Sequence, residues 1–440
     1  MSTLKIQIKS ILFFAIIAFF STSSLTAQFY YPPKTGGNWD TLSETRFGYC
    51  KPQIDSLYAF LDQTNTKSFM LLIDGKIVLE KYFDKFTKDS SWYWASAGKT
   101  MTAALMGIAK QENKVDFSDK TSKYLGTGWT SLSAQQEDSI TVLHQLTMTT
   151  GLNDRGANAD CTDPSCLDYK AAAGTRWAYH NAPYTLLDGV LSNATGVSIN
   201  NYFLSKIGLK TGMGGLYVKL DYNNVFFSTT RNMSRFGLLL LSKGMWDGAS
   251  VIDSNYVKTM STSSQTLNPS YGYLTWLNGK SSFMVPGVQF SFQGSLNPSA
   301  PNDVFMALGK NAQLINVAPS KKMVWVRMGD SPEEKNELVS PLYNEEIWKR
   351  INALKCAQNS LTEVQKTQIS SFPNPVIKGA KLSILGIPME GKMISMSSVD
   401  GRKVLSLQIQ NNSIEIPEHL ASGMYLLGNA QTGFVKVVVE

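Results

Sequence analysis

The sequence predicts an α+β protein: an antiparallel sheet flanked by helices, with a helical subdomain, followed by a small all-β sandwich. Three observations carry this expectation. A hairpin pattern near the start is followed, after a long helical stretch, by further strand-like runs. Helix-like segments bracket that set on both sides. Beyond Cys356 helical periodicity stops, and short strands punctuated by turn residues take over.

Taken in order, residues 1–27 read as a secretory signal peptide. Lys5 and Lys9 supply the positive start, and residues 11–20 form an apolar run too short to span a bilayer. Small and polar residues then lead to a cut after Ala27. No later stretch is apolar enough to cross a membrane, so none is expected once the signal is removed. Residues 28–49 read as an extended leader, and residues 52–63 as an amphipathic helix. Residues 69–80 alternate like a hairpin around Asp74-Gly75, a two-residue turn signal. An apolar helix pattern covers residues 101–109. Mixed helices and loops, including residues 231–241, run to about residue 250. Strand-like runs return at 271–278, 304–308, 314–317 and 323–328, and residues 336–354 read as a closing helix. The expected organisation is a body over 28–358, a linker over 359–369 and a β-sandwich over 370–440. Strands of the sandwich include 392–397, 414–416, 424–427 and 435–439.

The net charge of +7 over 440 residues is modest and no dense Lys/Arg block occurs. Nucleic acid is therefore not an expected partner. Four cysteines in an exported chain suggest disulfides. Three pairings are open; the expected one joins Cys161 to Cys166 across a polar loop and Cys50 to Cys356. The Cys/His spacing fits no zinc pattern, so no metal is expected. Gly98-Lys99-Thr100 mimics the end of a phosphate-binding loop, but Tyr93 stands where the first glycine belongs. No cofactor is expected. The three histidines, His144, His180 and His419, accompany no Gly-x-Ser-x-Gly elbow.

Ser96 and Lys99 form the only Ser-x-x-Lys of the chain, at the mouth of the apolar helix pattern. Residues i and i+3 share a helix face, so the amine lies beside the hydroxyl. The helix N-terminus favours a developing oxyanion. Tyr179-His180-Asn181 follows the approach Gly174-Thr-Arg-Trp. Its spacing lets a phenol and an amide face one site, with His180 turned away. A second Tyr-x-Asn, Tyr222-Asn223-Asn224, lacks that approach and reads as a loop. Trp92, Tyr93, Trp94 and Trp177 flank these motifs and read mainly as core.

With these motifs in order, residues 45–355 resemble the serine β-lactamase and penicillin-binding-protein superfamily, nearest its class C and esterase branch. The stretches 146–152, 231–241 and 324–329 support the resemblance. It implies a β-lactamase/transpeptidase-like fold and an acyl-enzyme on Ser96. Lys99 and Tyr179 would share the base role, and Asn181 would orient Lys99 and the acyl substituent. The third family motif falls at Ala307-Leu308-Gly309. There Gly309 admits the substrate to the backbone, and the Lys310 N–H joins that of Ser96 as an oxyanion donor. Ala307 replaces the cation that binds a substrate carboxylate in lactamases and peptidases. The resemblance therefore implies a small-molecule ester or amide substrate, with a DD-peptidase or a catalytically silent surface binding protein as alternatives.

The end of the chain resembles the C-terminal sorting domain of type IX secretion cargo. Phe372-Pro-Asn-Pro375, the stretch 399–404 and the stretch 422–427 carry this resemblance; the terminal Glu440 departs from a common basic ending. It implies export through the periplasm to the medium or the cell surface, with the type IX secretion machinery as partner.

Overall fold

A computed structural model of the chain describes residues 29–156, 158–332, 341–356, 370–385, 393–429 and 433–440. The expected signal peptide, the linker over 359–369 and the first turn of the closing helix lie outside the described residues. The chain divides into two compact units, residues 1–355 and 356–440.

A six-stranded antiparallel sheet organises the first unit. Its order is Lys76–Tyr82, Thr66–Ile73, Met323–Gly329, Gln313–Ala318, Phe305–Gly309 and Trp276–Leu277. The first two strands are the expected hairpin. Asp74 (φ 52°) and Gly75 (φ 83°) both take left-handed conformations, as a tight turn between right-twisted strands requires. Met323–Gly329 and Gln313–Ala318 are buried at every position, so their continuous apolar runs reflect cover on both faces. One cover is the helix Thr230–Leu241. Its approach is close: a Cβ at Gly237 would sit 2.5 Å from Val324 Cγ1. The helices Lys51–Gln63 and Pro341–Asn352 complete the cover.

One expectation of the fold needed correction. The strand expected over 271–278 shrinks to Trp276–Leu277. Leu274 has φ 46°, and Gly272 is pressed so close to Met260 that a Cβ would meet its carbonyl oxygen at 2.1 Å. That bend ends the strand. The loop expected at Tyr222-Asn223-Asn224 is a two-residue hairpin connection, Asp221-Tyr222, with Asn223 and Asn224 opening the next strand. It joins Leu216–Leu220 to Asn223–Thr229, with Asp221 at φ 52°.

The second unit is all β. One sheet holds Ser370–Phe372, Lys381–Leu385 and Ser413–Glu415; the other holds Lys403–Gln408, Met393–Ser398, Gly423–Asn429 and Gly433–Val439. Period-2 burial is clean in Lys381–Leu385, where Leu382 and Ile384 point inward between exposed neighbours. Those residues join Ile394, Met396, Leu427 and Val437 in a core of the unit's own.

Candidate active site

Ser96 lies in the single 3-10 turn Ala95–Ala97, which runs directly into the helix Gly98–Gln111. This helix is buried from Gly98 through Ala109, so it is held by packing rather than by propensity. Ala95 takes φ 46°, a strained value for a residue with a Cβ, and it tilts the turn that presents Ser96. Trp94 anchors that turn from below. Its N–H donates to the Phe226 carbonyl and its indole donates to Ser228 Oγ at 2.9 Å.

Lys99 is 3% exposed. Its Nζ lies 3.0 Å from Ser96 Oγ. The same atom sits over the rings of Tyr184 and Tyr179, 4.2 and 5.1 Å from their centroids. Burial pulls the ammonium down to about 7, and the Asp160 carboxylate opposes that shift. Burial drives the Tyr179 phenol well above the ordinary tyrosine range, outweighing the Ser96 hydroxyl, which lowers it. The amine is thus made easier to deprotonate and the phenol harder.

Tyr179 is positioned by the stretch 146–152. The Ala178 N–H donates to Met148 O, and the Gly174 N–H to Thr149 O. Gly151 (φ 78°) allows Lys170 and Ala171 to reach its carbonyl; a Cβ there would meet Ala171 O at 2.1 Å. Asn181 opens the helix Asn181–Thr185. Its expected hydrogen bond to Lys99 is not found among the described residues. Instead its Nδ2 donates to Asp160 Oδ1 at 2.7 Å, and its Oδ1 is buried without a partner. A carboxylate only accepts, so Asp160 dictates which way the amide faces. His180 is buried, and burial pulls its imidazole down to about 4, which leaves a neutral ring packed beside the site.

Gly309 ends its strand against the Ser96 turn. A Cβ there would lie 2.5 Å from Trp94 O, 2.9 Å from Ala97 N and 3.2 Å from Ser96 N. The backbone after it turns through Asn311 (φ 60°) and Ala312 (φ 54°). Arg327, fully buried, donates to both of their carbonyls, at 2.6 and 3.1 Å. Asn311 Nδ2 donates to Tyr93 Oη at 2.6 Å. The Lys310 side chain is exposed and Ala307 is buried.

Cys161 and Cys166 are disulfide-bonded, which closes the loop that follows Asp160. Cys50 and Cys356 are also disulfide-bonded, and no cysteine among the described residues is free. Tyr184, Arg327, Asn311 and Asp160 were not legible as site residues. None sits in a spacing that marks chemistry; the fold sets Tyr184 against Lys99, Asp160 against Asn181, and Arg327 against the Asn311 and Ala312 carbonyls.

The family model for beta-lactamases matches residues 59–297, and the chain belongs to that family. Solved structures agree on the fold. One is a protein assigned as a 6-aminohexanoate-dimer hydrolase from Bacillus anthracis: TM-score 0.56, 19% identity, covering 74% of this chain and 91% of its own. A penicillin-binding protein homologue from Caulobacter crescentus has TM-score 0.52 at 13% identity, covering 70% of this chain and 99% of its own. A family VIII carboxylesterase has TM-score 0.52 at 14% identity, covering 70% and 99%. No curated relative matches the chain by sequence.

Proposed function

We propose that the protein is an exported serine hydrolase that cleaves an ester or amide through an acyl-enzyme on Ser96. The observation that carries this reading is the 3.0 Å contact between Ser96 Oγ and a Lys99 amine that burial lowers to about 7, so that a large share of it is unprotonated near neutral pH. Lys99 is the base. As Oγ bonds to the carbonyl carbon, Lys99 takes the serine proton. The tetrahedral oxyanion is received by the backbone N–H groups of Ser96 and Lys310, which Gly309 lets approach one another. The new ammonium faces the Tyr179 and Tyr184 rings, which offset part of its burial. It returns the proton to the leaving alcohol or amine, with the Tyr179 hydroxyl bridging from Ser96. Water then attacks the acyl-serine by the same route and releases the acid. Cofactors and metals have no part in this scheme.

Ala307 at the expected cation position favours an ester or amide without a carboxylate there over a DD-peptidase substrate. Residues 1–27 and the sandwich over 370–440 support export and delivery by the type IX secretion machinery. The body over 28–358 carries the chemistry in this scheme. Intact-mass labelling by a fluorophosphonate tests the central claim. One adduct on the wild type and none on Ser96→Ala is expected; a folded wild type that takes no label sinks the reading. Covalent capture of a labelled penicillin would instead favour the peptidase.

A further inference from the structure

Asp160 is the one acidic side chain hydrogen-bonded to a residue of the Ser96, Lys99, Tyr179, Asn181 set among the described residues. Its Oδ1 accepts from Asn181 Nδ2, while its Oδ2 has no hydrogen bond among those residues. The carboxylate is half-buried, and its field reaches Lys99, where it opposes the effect of burial. Asp160 forms no ion pair among the described residues, and Arg176 is paired with Asp154 at 2.6 Å. The loop also has a fixed geometry. The Asp160 N–H donates to Asn158 Oδ1, and the Cys161–Cys166 disulfide begins at the next residue.

This arrangement shifts the expected charge of the site toward negative. Asn181 would present its amide to an acyl substituent, but Asp160 accepts one of its two Nδ2 hydrogens and sets a carboxylate beside that position. Ala307 removes a cation and Asp160 adds an anion. A substrate anion near the scissile carbonyl then meets a carboxylate that has no ion pair among the described residues. A cation meets an attraction that is little screened in a half-buried site.

Resting on the reading of Ser96 as the nucleophile, we infer that Asp160 is a specificity-determining residue that selects esters or amides bearing a positive charge near the scissile carbonyl and rejects anionic ones. The disulfide-closed loop holds it in that place.

Three p-nitrophenyl alkylphosphonates of equal chain length test this, ending in trimethylammonium, tert-butyl or sulfonate. Each phosphonylates an activated serine and expels nitrophenolate, so one reagent series reads both the nucleophile and the charge preference. The full-length protein should react fastest with the cationic reagent and slowest with the anionic one, spanning about tenfold or more at low salt. Asp160→Asn keeps an acceptor for Asn181 Nδ2 while removing the charge, so its three rates should converge to within about twofold. Raising the salt to about 1 M, where the screening length falls to about 3 Å, should compress the wild-type range without any mutation. Equal wild-type rates for the three reagents, or a spread that survives both Asp160→Asn and high salt, overturn the inference while leaving Ser96 as nucleophile. No phosphonylation by any reagent overturns the Ser96 reading itself, and this inference with it.

Discussion

Lys99 Nζ lies 3.0 Å from Ser96 Oγ, and the lysine is closed to solvent while the serine is partly open. In the proposed scheme the pair therefore combines a reachable nucleophile with a base that water cannot stabilise in its charged form. Because burial lowers Lys99 to about 7, kcat/KM should rise with pH along an acid limb centred near that value. Lys99→Met should lower it by about 10³-fold or more. The same shift has a stability consequence. Between about 7 and the ordinary lysine value the unfolded chain binds a proton that the folded one does not, so stability rises with pH across that window. Below pH 7 both states are protonated and the full cost of the buried charge remains. Lys99→Met should accordingly be more stable than wild type at pH 6, by on the order of a few kcal/mol, with the difference shrinking by pH 10. Denaturant titrations at the two pH values check this; equal differences at both would mean Lys99 is not strained by burial.

Tyr179 is the discriminating control. Its phenol is driven well above the ordinary range, chiefly by burial, so it stays neutral through the pH range in which Lys99 titrates. Tyr179→Phe should reduce kcat by about 10²-fold yet keep the acid limb near pH 7. A pH–rate profile that loses this limb in Tyr179→Phe would transfer the base role to the phenol.

The nucleophile motif, the hairpin, the late strands and the β character of the second unit were legible because each is local. Asp74-Gly75 specifies its turn by itself, and Ser96 and Lys99 meet through helix spacing. What escaped the sequence depends on non-local approach. Asp160 reaches Asn181 from 21 residues away, and Arg327 reaches Asn311 across the sheet. The shortened strand at Trp276–Leu277 reflects crowding of Gly272 against Met260, which strand propensity does not register.

Gly309 is a close-approach glycine of ordinary backbone angle (φ −126°), so its role is spatial rather than conformational. A methyl group there would press on Trp94 O and Ala97 N, both backbone atoms of the Ser96 turn, at 2.5 and 2.9 Å. Gly309→Ala must separate the strand from the turn by a fraction of an ångström. That displacement should cost about 100-fold in kcat and slow phosphonylation of Ser96 in proportion. Unchanged labelling in a folded Gly309→Ala protein would exclude the proposed pairing of the Ser96 and Lys310 N–H groups.

The two units have separate cores. The first gathers its buried residues from Trp39 through Leu354, and the second from Val376 through Val439, with no residue common to both. If each core stabilises its own unit, removing residues 365–440 leaves the sheet, the nucleophile helix and the Tyr179 loop with all their packing. The truncated protein should keep kcat/KM within about twofold of the full chain, because every residue assigned to the chemistry lies before the cut. Its thermal unfolding should retain the transition of the larger unit. A truncated protein that aggregates, or that folds but loses Ser96 labelling, would show that the sandwich supports the catalytic unit as well as following it in sequence.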